Sequence, residues 1–240
     1  MTEQQKCPFS TEVELCKCFS DSVASTGEWL IYPETEGFDV LLIERTTGHQ
    51  LGVQAKLRLN AKLADQILPD RYYDGRGVDW RAVIVPPLMV ASGLERLLNL
   101  VGIMVWQPRR RYFNGDASDW SFAGQISDTR FWYDWNPIKR CKLPEFIPQV
   151  PAGAPSPIQL TPWKVGALRV MARIEVDGFV TAKEVRECGV DSRRFCCTAS
   201  GWLRPIGNGR WVIHKIPRFD QQHPETYAEI LKAVRESRHD

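Results

Sequence analysis

Seven prolines fall at 137, 144, 148, 151, 155, 157 and 162, with Gly153 and other small residues between them. Proline fixes φ and removes an amide donor, so a stretch this dense extends neither a helix nor a sheet ladder. It reads as an extended linker. The chain is thereby divided into a first domain at 1–143, a linker at 144–161 and a second domain at 162–240. A total of 240 residues leaves both parts room for a core of their own.

Hydrophobic periodicity orders the first domain. Leu15, Cys16, Phe19 and Val23 mark one face of a helix over 11–25. Trp29–Tyr32 reads as a short strand. Phe38–Glu44 is a second strand, apolar on both faces, as in the middle of a sheet covered on both sides. Turn residues at 46–49 lead to a third strand, Leu51–Leu57. A helix over 60–68 capped by Asn60 follows, then a buried strand at 82–86, a helix at 92–100 and a strand at 102–106. The order α-β-β-β-α-β-α-β predicts an α/β fold with a mixed sheet flanked by helices.

In the second domain, Trp163–Ile174 is amphipathic. Thr181 and Glu184 match a capping box that opens a second helix, and Asp191 opens a third. Gly207-Asn208-Gly209 marks a hairpin within 203–216. A closing helix starts at Pro224 and runs to Ser237. Three helices and a hairpin predict a small winged-helix α+β domain. Residues 162–240 carry 14 Lys/Arg against 10 Asp/Glu, while the rest carries 17 against 19. The positive charge is thus tilted toward the second domain, which suits a polyanion partner.

Composition narrows the remaining classes. No apolar run reaches the roughly 20 residues of a membrane span. The opening segment MTEQQKCPFSTE lacks the apolar stretch of a secretory signal, so a cytoplasmic protein without a membrane partner is expected. Seven cysteines stand at 7, 16, 18, 141, 188, 196 and 197 without zinc spacing, and read as reduced thiols packed as small hydrophobes.

Chemistry concentrates on the second and third strands. A hairpin turning near 46–48 sets Asp39 roughly opposite positions 54–56. Gln54 and Lys56, two apart on one strand, share a face. A carboxylate, an amide oxygen and an ammonium then converge. Such a group suits a hard cation beside a phosphodiester: Asp39 as main ligand, Gln54 as a neutral second, the Ala55 carbonyl as a third, and Lys56 to orient water or offset charge.

Gly37-Phe38-Asp39 with Gln54-Ala55-Lys56 resembles the PD-(D/E)XK nuclease superfamily, in particular its Mrr-like branch, over roughly residues 10–107. The resemblance implies a restriction endonuclease-like domain that cleaves DNA with Mg²⁺ or Mn²⁺. It also implies a glutamate from the first helix at the metal site. Glu12, with apolar residues at +3, +4 and +7, lies on the core-facing side. Glu14 points about 160° away at 100° per residue, and completes a capping box with Thr11. Glu12 is the stronger candidate.

Basic residues supply candidate nucleic-acid contacts. Arg193 and Arg194 open the expected recognition helix, and Arg204, Arg210 and Lys215 decorate the wing. Arg109, Arg110 and Arg111 leave the last strand of the first domain, followed by the aromatic run Phe131–Trp135, which suits either base stacking or packing on the sheet. The function expected is metal-dependent cleavage of double-stranded DNA, with a homodimer attractive for cutting both strands. Two alternatives are a non-catalytic DNA-binding regulator on a decayed nuclease fold and a protein-binding adaptor or inhibitor.

Overall fold

A computed structural model describes residues 8–60, 62–68, 75–87, 93–113, 116–127, 129–154, 159–197 and 201–238. Ser92, Pro155 and Pro157 lie outside the described residues, as does the side chain of Arg111. The chain divides into two compact units: residues 1–143 with 150–157, and residues 144–149 with 158–240. Each half of the proline-rich segment therefore belongs to a folded unit. Phe146 packs against the core of the second unit, and Ala152 against that of the first.

The first unit runs α1 (Glu12–Ala24), β1 (Trp29–Thr35), β2 (Phe38–Glu44), β3 (Gln50–Ala55), α2 (Lys62–Ile67), β4 (Arg76–Gly77) and β5 (Trp80–Ile84). It continues with α3 (Gly93–Leu100), β6 (Ile103–Trp106), β7 (Arg109–Phe113), β8 (Asp116–Ser121), α4 (Ala123–Ile126), a 3-10 turn and β9 (Lys139–Arg140). Five strands form one mixed sheet in the order β1-β2-β3-β5-β6. The first three are antiparallel, and β3-β5-β6 are parallel. This is an α/β arrangement with helices on both faces. Leu15, Cys16 and Phe19 of α1 meet Val40, Leu42, Leu51 and Val53 in one layer. Leu63 and Ile67 of α2 and Leu98 of α3 meet Leu41, Ile43, Val83 and Ile103 in the other.

The first hairpin is tight at its turn and irregular in its packing. Glu36 and Gly37 hold φ of 54° and 85°, the paired positive values of a two-residue turn. Phe38 joins Leu41 and Ile43 in the second layer rather than Val40 in the first. Gly52 on β3 makes this possible, since a Cβ there would lie 2.3–2.6 Å from the Phe38 ring.

The aromatic run splits by position. Trp132 joins Trp29, Trp80 and Trp106 in a ring cluster with centroids 5.1–6.2 Å apart. Trp135 and Phe38 both face the buried Arg81 guanidinium, whose carbon lies 5.2 and 5.6 Å from their centroids. Phe131 and Tyr133 are exposed. Two of these aromatics therefore serve the core. The three-arginine segment forms β7, which pairs with β8 in a hairpin of its own.

The second unit runs α5 (Pro162–Asp177), β10 (Val180–Thr181), α6 (Ala182–Glu187), α7 (Ser192–Phe195), β11 (Leu203–Gly207), β12 (Arg210–Ile213), α8 (Phe219–Gln222) and α9 (Pro224–Glu236). Three antiparallel strands lie in the order β10-β12-β11. Thr161 caps α5, and Thr181 with Glu184 forms the full capping box on α6. Leu168, Met171, Val185, Phe195, Leu203 and Ile230 share its core. No helix among the described residues is long and apolar enough to cross a membrane.

Gly52→Ala overpacks the Phe38 contact. It is expected to destabilise the first unit by about 1–3 kcal/mol, read as a lower urea midpoint without a change in slope. An unchanged midpoint would show that Phe38 does not depend on this glycine.

Candidate functional site

The antiparallel pairing of β2 with β3 runs from Ile43–Gln50 to Val40–Val53 and stops there. β3 itself goes on pairing with β5 through Ala55 and Ile84, and the Lys56 amide donates to the Ile84 carbonyl at 3.0 Å. Alternation along the strand turns the Ala55 amide and carbonyl toward the β2 side, beyond the last β2–β3 pair. Asp39 fills that gap. Its Oδ2 accepts the Ala55 N–H at 2.7 Å. A carboxylate thus takes the place of the next ladder bond, and its second oxygen is left to face the site.

Gln54 is buried, and its Nε2 donates to the Gly37 carbonyl at 2.6 Å. That bond fixes the amide, so Oε1 is the end left for another partner. Lys56 Nζ donates to Glu12 Oε2 at 3.1 Å, with side chains 14% and 33% exposed. Glu14 is elsewhere: it caps α1 through Thr11, and hydrogen bonds from the Ser10 amide and hydroxyl hold it below the usual carboxylate range. Asp39, Ala55, Lys56 and Glu12 therefore come together. Gln54 is tied instead to the β1–β2 turn, on the face of β3 that Gly52 presents to Phe38, and Glu14 stays at its cap.

Electrostatics follow from this packing. Burial pushes the Asp39 carboxyl above its ordinary value, with Glu12 adding to the rise, while the Ala55 amide and Lys56 oppose it. Cys16 lies beneath the group and is almost fully buried. Burial pushes its thiol up, and Asp39, Glu34 and Glu12 push in the same direction. It is an inert packing residue rather than a nucleophile.

Glu34 and Gly153 belong to this neighbourhood and escape a reading of the sequence by strand pattern. Pro33 ends an apparent strand at Tyr32, but β1 continues to Thr35. The overlooked signal is the turn: a two-residue turn at Glu36-Gly37 sets Glu34 beside Asp39. Gly153 comes from the proline-rich segment, where composition carries no trace of a tertiary contact.

The basic candidates of the second unit are distributed unevenly. Arg193 is exposed on α7. Arg194 lies over the rings of Trp163 and Trp202, at 5.1 and 4.8 Å. Arg204, Arg210 and Lys215 are exposed on or just after the β11–β12 hairpin, and Arg210 stacks on Phe179 at 4.2 Å. α7 is a single turn, shorter than a groove-reading helix. The Cys196 amide caps it on the Ser192 carbonyl at 2.7 Å. In the first unit, Arg109 and Arg110 are exposed on β7, and Arg110 covers Trp120 at 4.7 Å.

Comparison with family models, with curated proteins and with solved structures finds no match for the chain. Among the described residues, no three His, Cys, Asp or Glu side chains are grouped to hold a metal ion. What meets there is mixed: the Asp39 and Glu12 carboxylates and the Lys56 ammonium beside the Ala55 amide, with Glu34 next to Asp39.

A carboxyl with a raised pKa favours folding when protonated. The penalty for ionised Asp39 is absent below the ordinary aspartate range and fully present above its folded pKa. Asp39→Asn is therefore expected to raise the thermal midpoint near pH 7, by about 2 °C or more, and to lose that advantage toward pH 3–4. Scanning calorimetry across this range checks it. A lower midpoint for the variant at pH 7 would contradict the burial argument.

Proposed function

We propose that this protein is a metal-dependent DNA endonuclease that hydrolyses phosphodiester bonds. The observation that carries the reading is the Glu12–Lys56 ion pair. It brings an acid from the first helix to the lysine of Gln54-x-Lys56, beside Asp39 at the end of the β2–β3 ladder. This constellation resembles the active site of the PD-(D/E)XK superfamily, and the sheet that carries it is compatible with a restriction endonuclease-like fold.

The residues present fit Mg²⁺ or Mn²⁺. Such ions bind through one or two carboxylates, keep several waters and need no closed protein cage. Asp39 is a partly buried carboxylate whose charge burial disfavours, and an added cation would relieve it. Asp39, Gln54 Oε1 and the Ala55 carbonyl would hold the ion. When bound, it polarises the scissile phosphate and lowers the pKa of water.

The chain's own residues do the rest. The Ala55 amide orients Asp39. Glu12 holds the Lys56 ammonium beside the site, where it offsets charge that develops on the phosphoryl oxygens. The second unit has the element order of a winged helix, with α5, α6 and α7 as its helices and β11–β12 as the wing. With α7 only one turn long, duplex affinity rests on Arg193 together with the wing residues Arg204, Arg210 and Lys215. One site per chain cuts one strand, so a homodimer suits double-strand cleavage. The rival reading, a non-catalytic DNA-binding regulator, draws on Gln54, which is neutral where a carboxylate would bind a cation more strongly.

Plasmid nicking or linearisation with Mg²⁺ or Mn²⁺ tests the activity. Asp39→Ala and Lys56→Ala are each expected to lower the rate by about 100-fold or more. Cleavage that persists in both variants would remove the site assignment. Salt-dependent duplex binding without cleavage by any form would favour the regulator. For binding itself, Arg193→Ala and Arg204→Ala should each reduce the slope of log affinity against log salt by about 1. Slopes equal to wild type would take both residues out of the interface.

A further inference from the structure

Glu34 lies beside Asp39 where β1 turns into β2, with a left-handed φ of 48° that departs from regular strand geometry. The β1–β2 register pairs Pro33 with Val40 and Thr35 with Phe38, which leaves Glu34 and Asp39 between them. On its other side Asp39 lies past the last β2–β3 pair, Val40–Val53, and accepts the Ala55 N–H. Like charges on directly opposed residues destabilise a sheet, so a fold without use for this pair has reason to avoid it.

The chain also holds Glu34 in place from a distance. Gly153, in the segment that packs back on the first unit, donates its amide to Glu34 Oε1 at 2.6 Å. Its φ is 73°, and a Cβ there would lie 2.9 Å from Cys16 Sγ and 3.0 Å from the Glu12 backbone. Only a glycine lets the strap lie this close to α1 at the foot of the site. The backbone amides of Gly153 and Ala154 thus locate the Glu34 carboxylate, while Gly153 packs against the residue that holds Lys56.

We propose that Glu34 is a positioning residue of the candidate site, clamped by Gly153, and that it supplies beside Asp39 the negative charge that Gln54 withholds from a bound divalent cation. This rests on the metal-nuclease reading of the site. A cation that keeps its waters is held partly through them, so a carboxylate next to its ligand raises affinity without touching the ion. The contribution is electrostatic, and it is separable from the clamp. Gln in place of Glu34 still accepts the Gly153 N–H but carries no charge.

Mn²⁺ titration of the full-length chain, followed by the electron paramagnetic resonance of free Mn²⁺, reads affinity without any turnover. Circular dichroism on the same samples reads stability. Glu34→Gln is expected to weaken Mn²⁺ binding by about 10-fold without lowering the thermal midpoint. Glu36→Gln, which removes an exposed carboxylate from the adjacent turn, is expected to leave affinity at the wild-type value. Gly153→Ala should weaken binding as well, because it displaces the clamp while leaving every charge in place. Wild-type affinity retained in Glu34→Gln would overturn the role of Glu34 alone. Equal weakening by Glu36→Gln would overturn it too, as it would reduce the effect to diffuse surface charge. Failure of the wild-type chain to bind Mn²⁺ would instead remove the metal-nuclease reading, and the role of Glu34 with it.

Discussion

The hydrogen bond from the Ala55 amide to the Asp39 carboxylate is the constraint on which the site depends. It forms because β2 stops pairing with β3 at Val40–Val53 while β3 continues alongside β5. A side chain takes over where the ladder ends, and a half-buried acid is held at the end of an interior strand. The neighbouring groups are arranged around it. Gln54 is locked by the Gly37 carbonyl, whose residue sits in the tight turn that closes β1 on β2. Lys56 leaves the strand just after the Ala55 amide and reaches back to α1.

The cost of this arrangement is visible in the same groups. Burial pushes both Asp39 and Glu34 above the ordinary carboxylate range, and Asp39 adds to the rise at Glu34. Among the described residues, Lys56 is the ammonium that stands among Glu12, Asp39 and Glu34. Sheets built only for stability place apolar or neutral pairs at such positions. The proposed cation accounts for the imbalance, because a divalent charge converts the repulsion into attraction. Charge is managed differently in the second unit, where Arg194 and Arg210 lie on aromatic rings and keep their guanidinium groups at the surface.

Local pattern reveals much of this and misses the rest for physical reasons. The apolar runs and turn residues place the strands that carry Asp39 and Gln54, although the second ends at Ala55 rather than Leu57 and leaves Lys56 just past it. Helical geometry and the capping box separate Glu12 from Glu14, since a side chain spent on a helix cap cannot also face the sheet. Glu34 is missed because Pro33 suggests a strand end, whereas the fold tolerates proline on β1, at the sheet's edge. Gly153 is missed because proline density describes local stiffness, and its contacts lie more than a hundred residues away in the chain. The single turn of α7 is missed because a cap such as Asp191 marks where a helix starts and leaves its length open. Phe38 departs from strict alternation because Gly52 leaves room for its ring.

On the metal-nuclease reading, Asp39, Gln54 and Ala55 face one cation. Paramagnetic broadening locates that ion directly. Substoichiometric Mn²⁺ added to ¹⁵N-labelled protein should erase the amide signals of Gly37, Gln54 and Ala55 first, and those of Trp29 and Glu44, at the far end of the β1–β2 ladder, last. Broadening that begins elsewhere, or that spreads evenly over exposed acidic residues, would contradict the account.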